Sequence, residues 1–187
     1  LLIGFCFNAF LEGAAGFGVP IAICAVLLIQ LGFEPLKAAM LCLIANGAAG
    51  AFGAIGLPVS IIDTFNLSGG VTTLDVARYS ALTLPILNFI IPFVLVFIVD
   101  GMKGIKEILP VILTVSGTYT GLQLLLTIFH GPELADIIPS LATMVVLAFV
   151  CRKFKPKNIF RLEASEHKIQ KRTPKEIVFA WSPFVIV

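Results

Sequence analysis

Charged residues are scarce in this sequence: Asp, Glu, Lys and Arg together make up 13% of its 187 residues, whereas hydrophobic residues make up 58%. The mean hydropathy is +1.04. In an average soluble domain about a quarter of the residues are charged. The shortage of charge therefore excludes an ordinary soluble domain and indicates an all-α membrane protein, a polytopic helical bundle.

Paired cysteines and metal-ligand clusters are also lacking. Four cysteines lie singly in apolar segments: Cys6, Cys24, Cys42 and Cys151. They form no Cys-x-x-Cys pair, and no histidine lies near them at ligand spacing. They are typical of small core residues rather than of disulfides or metal ligands. No nucleophilic serine elbow, phosphate-binding loop or cofactor fingerprint is present either. The sequence thus predicts a protein that is not an enzyme and uses no metal or cofactor.

The few charges are unevenly distributed. Residues 152–176 contain nine Lys or Arg and three Glu, while residues 1–151 contain four bases and eight acids. Because basic loops of membrane proteins face the cytoplasm, residues 152–176 are expected to form a basic cytoplasmic loop and not a nucleic-acid-binding segment. We therefore predict a transmembrane region at 1–151, with about five spans of which the first two are broken, and the start of a further span at 177–187. The chain opens and closes inside apolar runs, so a fragment of a longer protein is expected.

Glycine and proline interrupt the first apolar run. Residues 1–31 would otherwise form one long transmembrane helix, but three glycines stand between Glu12 and Pro20. Glycine lowers helix propensity and proline lacks a backbone donor, so the helix is expected to break there. Irregular backbone at membrane depth is tolerated where it is buried in protein or lines a polar cavity, which makes this stretch a candidate ligand site.

A second interruption lies between Gly47 and Pro58, within the apolar residues 36–65. Both interruptions lie about 16–22 Å from the turn at residues 32–35, counted at about 1.5 Å per residue, and half of a hydrocarbon core is about 15 Å. They are therefore expected to meet near the membrane midplane. Broken antiparallel helices and re-entrant hairpins both give this meeting point, and the sequence does not separate the two arrangements.

Several short stretches resemble one protein family. They are residues 2–7, 10–20 and 52–54 with Gly56 and Pro58, followed by residues 100–101, 104–107 and 131–134. In this order and at these spacings they are similar to the bacterial lactate permease family, from Leu1 to about Phe160. The resemblance implies a secondary transporter in the bacterial cytoplasmic membrane that carries lactate, glycolate and similar small 2-hydroxymonocarboxylates together with a proton.

Two other functions are compatible with the residues taken alone. An anion channel or uniporter for small carboxylates would use the same half-helix ends but needs a continuous wet path. In a non-transporting membrane subunit the glycines would serve helix packing alone. The resemblance favours the transporter, whose expected partners are the substrate, the proton, the lipid bilayer and the rest of the parent chain, with no nucleic acid.

Glu12 is the ionisable residue placed most clearly in the hydrophobic zone. A buried carboxylate is costly when charged and is therefore readily protonated. We expect Glu12 to take up the co-transported proton. The alternative is that Glu12 caps the half-helix by accepting backbone N–H bonds.

Two asparagines and a set of glycines are the candidate substrate ligands. The asparagines are Asn8 and Asn46, beside the two interruptions, and the glycines are Gly13, Gly16, Gly18, Gly53 and Gly56. Glycine lets backbone approach a ligand, and half-helices beginning near Pro20 and Pro58 would direct their positive ends toward a carboxylate. The alternatives are close helix packing for the glycines and pairing with freed backbone groups for the asparagines.

Other polar residues are expected in less specific places. Ser116 and Thr118 should bond to their own helix backbone; the alternative is that they line a pathway together with Tyr119. Four charged residues are expected near the outer surface: Asp63, Asp75, Arg78 and Asp136.

Overall fold

The chain folds into helices joined by short turns. A computed structural model describes residues 1–16, 18–65 and 70–154, so most of the basic loop and the start of a further span lie outside the described residues. The helices are α1 (Leu2–Ala14), α2 (Val19–Gln30), α3 (Pro35–Ala49), α4 (Leu57–Ser60), α5 (Thr73–Glu107), α6 (Leu109–Phe129) and α7 (Ile137–Lys153). Short 3-10 helices, Ala54–Gly56 and Ile61–Phe65, flank α4. No strand occurs in the described ranges, and the predicted all-α membrane bundle is confirmed.

Three helical stretches are long and apolar enough to cross a membrane: Pro35–Phe65, Thr73–Glu107 and Leu109–Phe129. At about 1.5 Å per residue, α1 and α2 are each only about 20 Å long, whereas a hydrocarbon core is about 30 Å thick. Large apolar side chains along α5 are exposed, among them Leu82, Ile86 and Phe97. Such a surface is typical of a helix that faces lipid or further apolar helices.

The first apolar run folds into a helical hairpin. A Cβ atom added to Gly4, near the start of α1, would lie 3.8 Å from Leu28 Cδ1, near the end of α2. Gly4 and Leu28 are equally far along the chain from Gly16, and such residues meet when the two helices run antiparallel. The run therefore enters and leaves on the same side of the bundle. Of the two arrangements that the sequence leaves open, the first interruption has the hairpin form.

The second apolar run continues in one direction across its interruption. Gly47 of α3 lies opposite Ile91 of α5, and beyond the break the Thr73 hydroxyl donates hydrogen bonds to the carbonyls of Val59 and Ser60, at 3.4 and 3.3 Å. The helix α5 thus runs antiparallel to both halves of this run. Residues 35–65 therefore form a broken span and not a second hairpin.

Small side chains allow α1, α2 and α3 to pack closely. The core between these helices contains Cys6, Ala9, Cys24, Cys42 and Ala45, all of them fully buried. Small residues let helix backbones approach one another in membranes, where dispersion and hydrogen bonds drive association. The three buried cysteines confirm their predicted role as core residues, while Cys151 is exposed at the end of α7.

The helix directions place five of the six Lys and Arg residues of the described chain at one end of the bundle, and Arg78, near the start of α5, toward the other. The Asn8 amide donates to the Cys42 carbonyl and Gly16 faces Ala54, so α1 and α3 are parallel. The end of α1 meets the start of α7, because Gly13 faces Ile137, and Cys151 near the end of α7 lies close to Leu1. The helix α7 is therefore antiparallel to α1. One end thus carries Lys37, Lys103, Lys106, Arg152 and Lys153. This asymmetry is what the positive-inside rule expects of a cytoplasmic face.

Gly56 lies at the tightest contact that a glycine makes in the described chain. Its φ is +69°, a value that residues with a side chain rarely adopt, and an added Cβ would lie 2.6 Å from the carbonyl carbon of Pro132. Gly56→Ala should lower the free energy of unfolding of the full-length protein by about 2–5 kcal/mol, from backbone strain and overpacking. Thermal unfolding of the purified protein in detergent would measure this loss.

Gly117→Ala in α6 is the matched control. Nothing lies within 4 Å of a Cβ added at Gly117, and alanine has the higher helix propensity, so this variant should be at least as stable as the parent. Equal losses at the two positions would contradict the packing described for Gly56.

Candidate functional site

Three irregular segments of backbone meet inside the bundle. Gly16 at the hairpin tip packs against the break in the second run, since a Cβ added to Gly16 would lie 2.8 Å from Ala54 Cβ. The close approach of Gly56 to Pro132 joins that break to the segment before α7. We call this cluster, residues 12–16 with Gly18, 50–56 and 131–136, the junction. The two interruptions meet as predicted, and the third segment was not anticipated.

The helices α2 and α4 begin in the same way at the junction. Gly18 and Gly56 are left-handed N-cap residues, with φ of +83° and +69°, and Pro20 and Pro58 lie in the first turns that follow. Glycine accommodates the left-handed backbone, and proline at a helix start has no N–H to leave unpaired. The predicted starts of half-helices near the two prolines are thus confirmed, although α4 is only four residues long.

Glu12 is buried at the junction end of α1, with 5% of its surface exposed. Its side chain lies beside that of Asn46 on α3. The Oε2 atom has no hydrogen-bond partner among the described residues, and no side-chain cap bond is made at the start of α2. Glu12 is thus a buried acid at the meeting point of the two interruptions, with one carboxyl oxygen unpaired within the described chain.

The two asparagines lie on facing helices at different depths. Asn8 is fully buried and donates to the Cys42 carbonyl at 3.3 Å, so part of its amide is used to tie α1 to α3. Asn46 is half-buried beside Glu12. The amide oxygens of both residues have no partner within the described chain. Each asparagine thus retains an acceptor for a donor such as a hydroxyl group.

The five candidate glycines fall into two groups. An added Cβ would meet other parts of the chain at 2.6–3.2 Å at four of them: Gly13, Gly16, Gly53 and Gly56. Gly13, Gly16 and Gly56 allow separate segments of the junction to touch one another, whereas Gly53 faces Pro58 within the second interruption. Gly18 has nothing within 4 Å of an added Cβ in the described chain, and it precedes the first turn of α2. Gly18 is therefore the glycine best placed to approach a ligand.

Asp136 belongs to the junction, and the expectation that it lies near the outer surface is wrong. The segment before α7 folds back into the bundle, where a Cβ added to Gly13 would lie 2.9 Å from Asp136 Cβ. Only 2% of the Asp136 surface is exposed. By contrast, Asp63 and Asp75 lie beside the start of α5. Asp63 accepts a hydrogen bond from the Thr73 backbone N–H, and Asp75 accepts one from the Thr72 backbone N–H.

A chain of polar side chains leads from Asp136 into the centre of the bundle. The Tyr119 hydroxyl and the Gln123 amide donate to Asp136 Oδ1 at 3.0 and 2.7 Å, and the Asn88 amide donates to Gln123 Oε1 at 2.6 Å. Amides inside long apolar runs mark polar interiors of membrane bundles, and this signal would have identified Asn88 and Gln123 from the sequence. Thr120 bonds to the Ser116 carbonyl of its own helix, whereas the buried Ser116 hydroxyl has no partner in the described chain, so the prediction that Ser116 bonds to its own helix is wrong.

Gln123 connects the two ends of this polar chain. Gln123→Leu would leave the Asn88 amide without its buried acceptor and would remove one of the two donors to Asp136 Oδ1, at a cost of about 1–3 kcal/mol in the free energy of unfolding. Thermal unfolding of the full-length protein would measure the loss. Gln30→Leu makes the same change at an exposed position at the end of α2 and should be nearly neutral. A Gln123 variant as stable as the Gln30 variant would contradict the network.

Comparison with known proteins gives a consistent family. The family model for L-lactate permease matches residues 1–187. The chain is 63% identical to an L-lactate permease of Halalkalibacterium halodurans over its whole length, and 40% identical to an L-lactate permease of Escherichia coli K12. It is also 42% identical to the glycolate permease GlcA of Escherichia coli K12.

The chain spans about a third of the length of these curated relatives: 36% of the Halalkalibacterium protein, 35% of the lactate permease from Escherichia coli and 36% of GlcA. In each case all of the chain is covered. No solved structure matches it. With the broken helices, the buried acid and a family model that matches from the first residue to the last, the chain belongs to the L-lactate permease family.

Proposed function

We propose that the full-length protein carries lactate, and similar small 2-hydroxymonocarboxylates such as glycolate, across the bacterial cytoplasmic membrane by proton symport. Relatives named L-lactate permease and glycolate permease support the substrate class. The observation that carries the coupling is the position of Glu12: a buried carboxyl group at the meeting point of two interrupted helices. Interrupted helices in secondary transporters bind substrates and coupling ions near the membrane midplane.

Protonation of Glu12 links the proton to the substrate through charge. With Glu12 ionised, a carboxylate substrate would be a second negative charge in a poorly solvated site, and like charges at such a site repel strongly. Protonation removes the first charge and favours entry of the anion. Because Glu12 is already 95% buried, the ionised form has little water to stabilise it.

The start of α2 supplies the attraction for the substrate carboxylate. This helix has 12 residues, no acidic residue in its first turn, and Gly18 at its N-cap beside open space. The first N–H groups of a helix are unpaired and carry partial positive charge, which favours an anion. The free oxygens of Asn8 and Asn46 are acceptors for the 2-hydroxyl group of the substrate.

The orientation follows from the basic end of the bundle. We place Lys37, Lys103 and Lys106 in the cytoplasm together with the basic loop at 152–176, according to the positive-inside rule. In this orientation the α1–α2 hairpin enters from the cytoplasmic side. The tip of the hairpin then holds Glu12 at the substrate site, and the hairpin itself does not cross the membrane.

Glu12→Gln tests the coupling. Gln keeps the size of the side chain and mimics the protonated acid, so exchange of labelled lactate should persist while accumulation driven by an inward proton gradient is lost. Uptake into vesicles that contain the full-length protein, with and without the imposed gradient, measures both. Uphill accumulation by the Gln variant equal to the parent would rule out Glu12 as the proton carrier.

Glu34→Gln is the matched control. Glu34 is exposed in the turn before α3, so its substitution should leave both exchange and gradient-driven accumulation unchanged. Parent vesicles whose lactate flux saturates but never exceeds equilibrium would instead identify a uniporter or channel. Absence of any lactate-dependent flux would identify a non-transporting subunit.

A further inference from the structure

Asp136 is a second buried carboxyl group that the coupling scheme above does not use. It stands at the N-cap of α7, where an aspartate would ordinarily accept hydrogen bonds from the backbone of the first turn. No such side-chain bond is made at this helix. The carboxyl group is turned instead toward Tyr119 and Gln123 on α6. Helix capping therefore does not explain Asp136.

The hydrogen bonds of Asp136 are unevenly shared between its two oxygens. Both donors, the Tyr119 hydroxyl and the Gln123 amide, bond to Oδ1, and both are uncharged. Oδ2 is buried with no partner among the described residues. A buried carboxylate oxygen with neither a donor nor a cation is costly, whereas a protonated Oδ2 carries no charge. The arrangement matches an acid whose Oδ1 is the carbonyl oxygen.

Glu12 is the charged neighbour of Asp136. Gly13, which follows Glu12 directly, packs against Asp136: a Cβ added to Gly13 would lie 2.9 Å from Asp136 Cβ. Glu12 also has one buried oxygen without a partner in the described chain. Two carboxyl groups at one poorly solvated site do not both ionise readily, so they titrate as a pair.

The other groups around Asp136 do not replace this pairing. From α6 it is faced by Tyr119 and the neutral Gln123, and from α5 the neutral Asn88 follows behind Gln123. Cys6 of α1 lies near Tyr119. On the segment before α7, the exposed Glu133 directs its carboxylate toward Gly131.

We infer that Asp136 and Glu12 form a proton-sharing carboxyl pair that carries the transported proton, with Tyr119 and Gln123 holding Asp136 in position. This inference rests on the proposed proton symport and adds a second acid to it. In the empty site one acid holds the proton and the other is ionised. Uptake of a further proton neutralises the pair and precedes anion binding, and release of that proton on the other side restores the single charge.

Asp136→Asn in the full-length permease tests the pair. Gradient-driven lactate accumulation should fall to the level seen without a gradient, while exchange persists. The pH profile of exchange is the decisive readout. In the parent, exchange should decline as pH rises and the pair loses its protons; in the Asn variant, which mimics a fixed protonated acid, exchange should extend to higher pH. A merely structural role would lower exchange equally at every pH.

Three further variants complete the test. Asp136→Glu keeps an acid and should restore part of the accumulation. The double variant Glu12→Gln with Asp136→Asn should lose no more accumulation than either single variant, because both act on one shared proton. Asp63→Asn makes the same chemical change at a carboxylate that accepts from the Thr73 backbone at the start of α5, and it should leave the pH profile of exchange unchanged.

The outcomes separate this inference from the proposed function. If Glu12→Gln abolishes accumulation but Asp136→Asn retains it with the pH profile of the parent, the pair is overturned and symport through Glu12 stands. If the parent itself shows no gradient-driven accumulation, symport fails. Infrared difference spectra recorded on a pH change then test the carboxyl pair independently of symport. A protonated-carboxyl band that is present in the parent and absent from Asp136→Asn supports the pair. Identical bands in the two proteins overturn it.

Discussion

The requirement that every backbone N–H and C=O group at membrane depth finds a partner governs this structure. Three segments leave regular helical geometry inside the bundle, at residues 15, 16 and 18, at 50–56 and at 131–136. Lipid supplies no hydrogen bonds, so such segments persist where other parts of the protein surround them. Here they surround one another. The contacts of Gly16 with Ala54 and of Gly56 with Pro132 make the junction a single unit, and none of its segments would be tolerated alone at that depth.

The same shielding brings two acids into one poorly solvated place. Glu12 comes with the hairpin and Asp136 with the segment before α7, from positions more than 120 residues apart in the sequence. Water would normally separate and screen such charges, but Glu12 and Asp136 are only 5% and 2% exposed, so little water reaches them. Proton binding is then the readiest way to relieve the charge. The features that allow irregular backbone in the bundle therefore also create the conditions for proton exchange.

Much of the fold follows from local sequence, whereas the site depends on distant contacts. Apolar run lengths predicted the membrane helices, and clustered glycine and proline predicted both interruptions, because these signals act within a few residues. The hairpin form of the first run depends on whether Gly4 meets Leu28, a contact that no local propensity encodes. Asp136 was misplaced for a similar reason: a charged residue beside a Gly-Pro turn is typical of a surface loop, and only the fold-back against Gly13 buries it.

The short hairpin has a consequence for how the protein is made. Each of its arms is too short to cross the bilayer, and its tip exposes backbone groups that lipid does not satisfy. The surfaces that cover the tip come from the second run and from residues 131–136, which leave the ribosome later. The first residues of this stretch are therefore expected to reach their final depth after α7 has been synthesised. Within this stretch the order of insertion would then run against the order of translation, because the hairpin settles after α7.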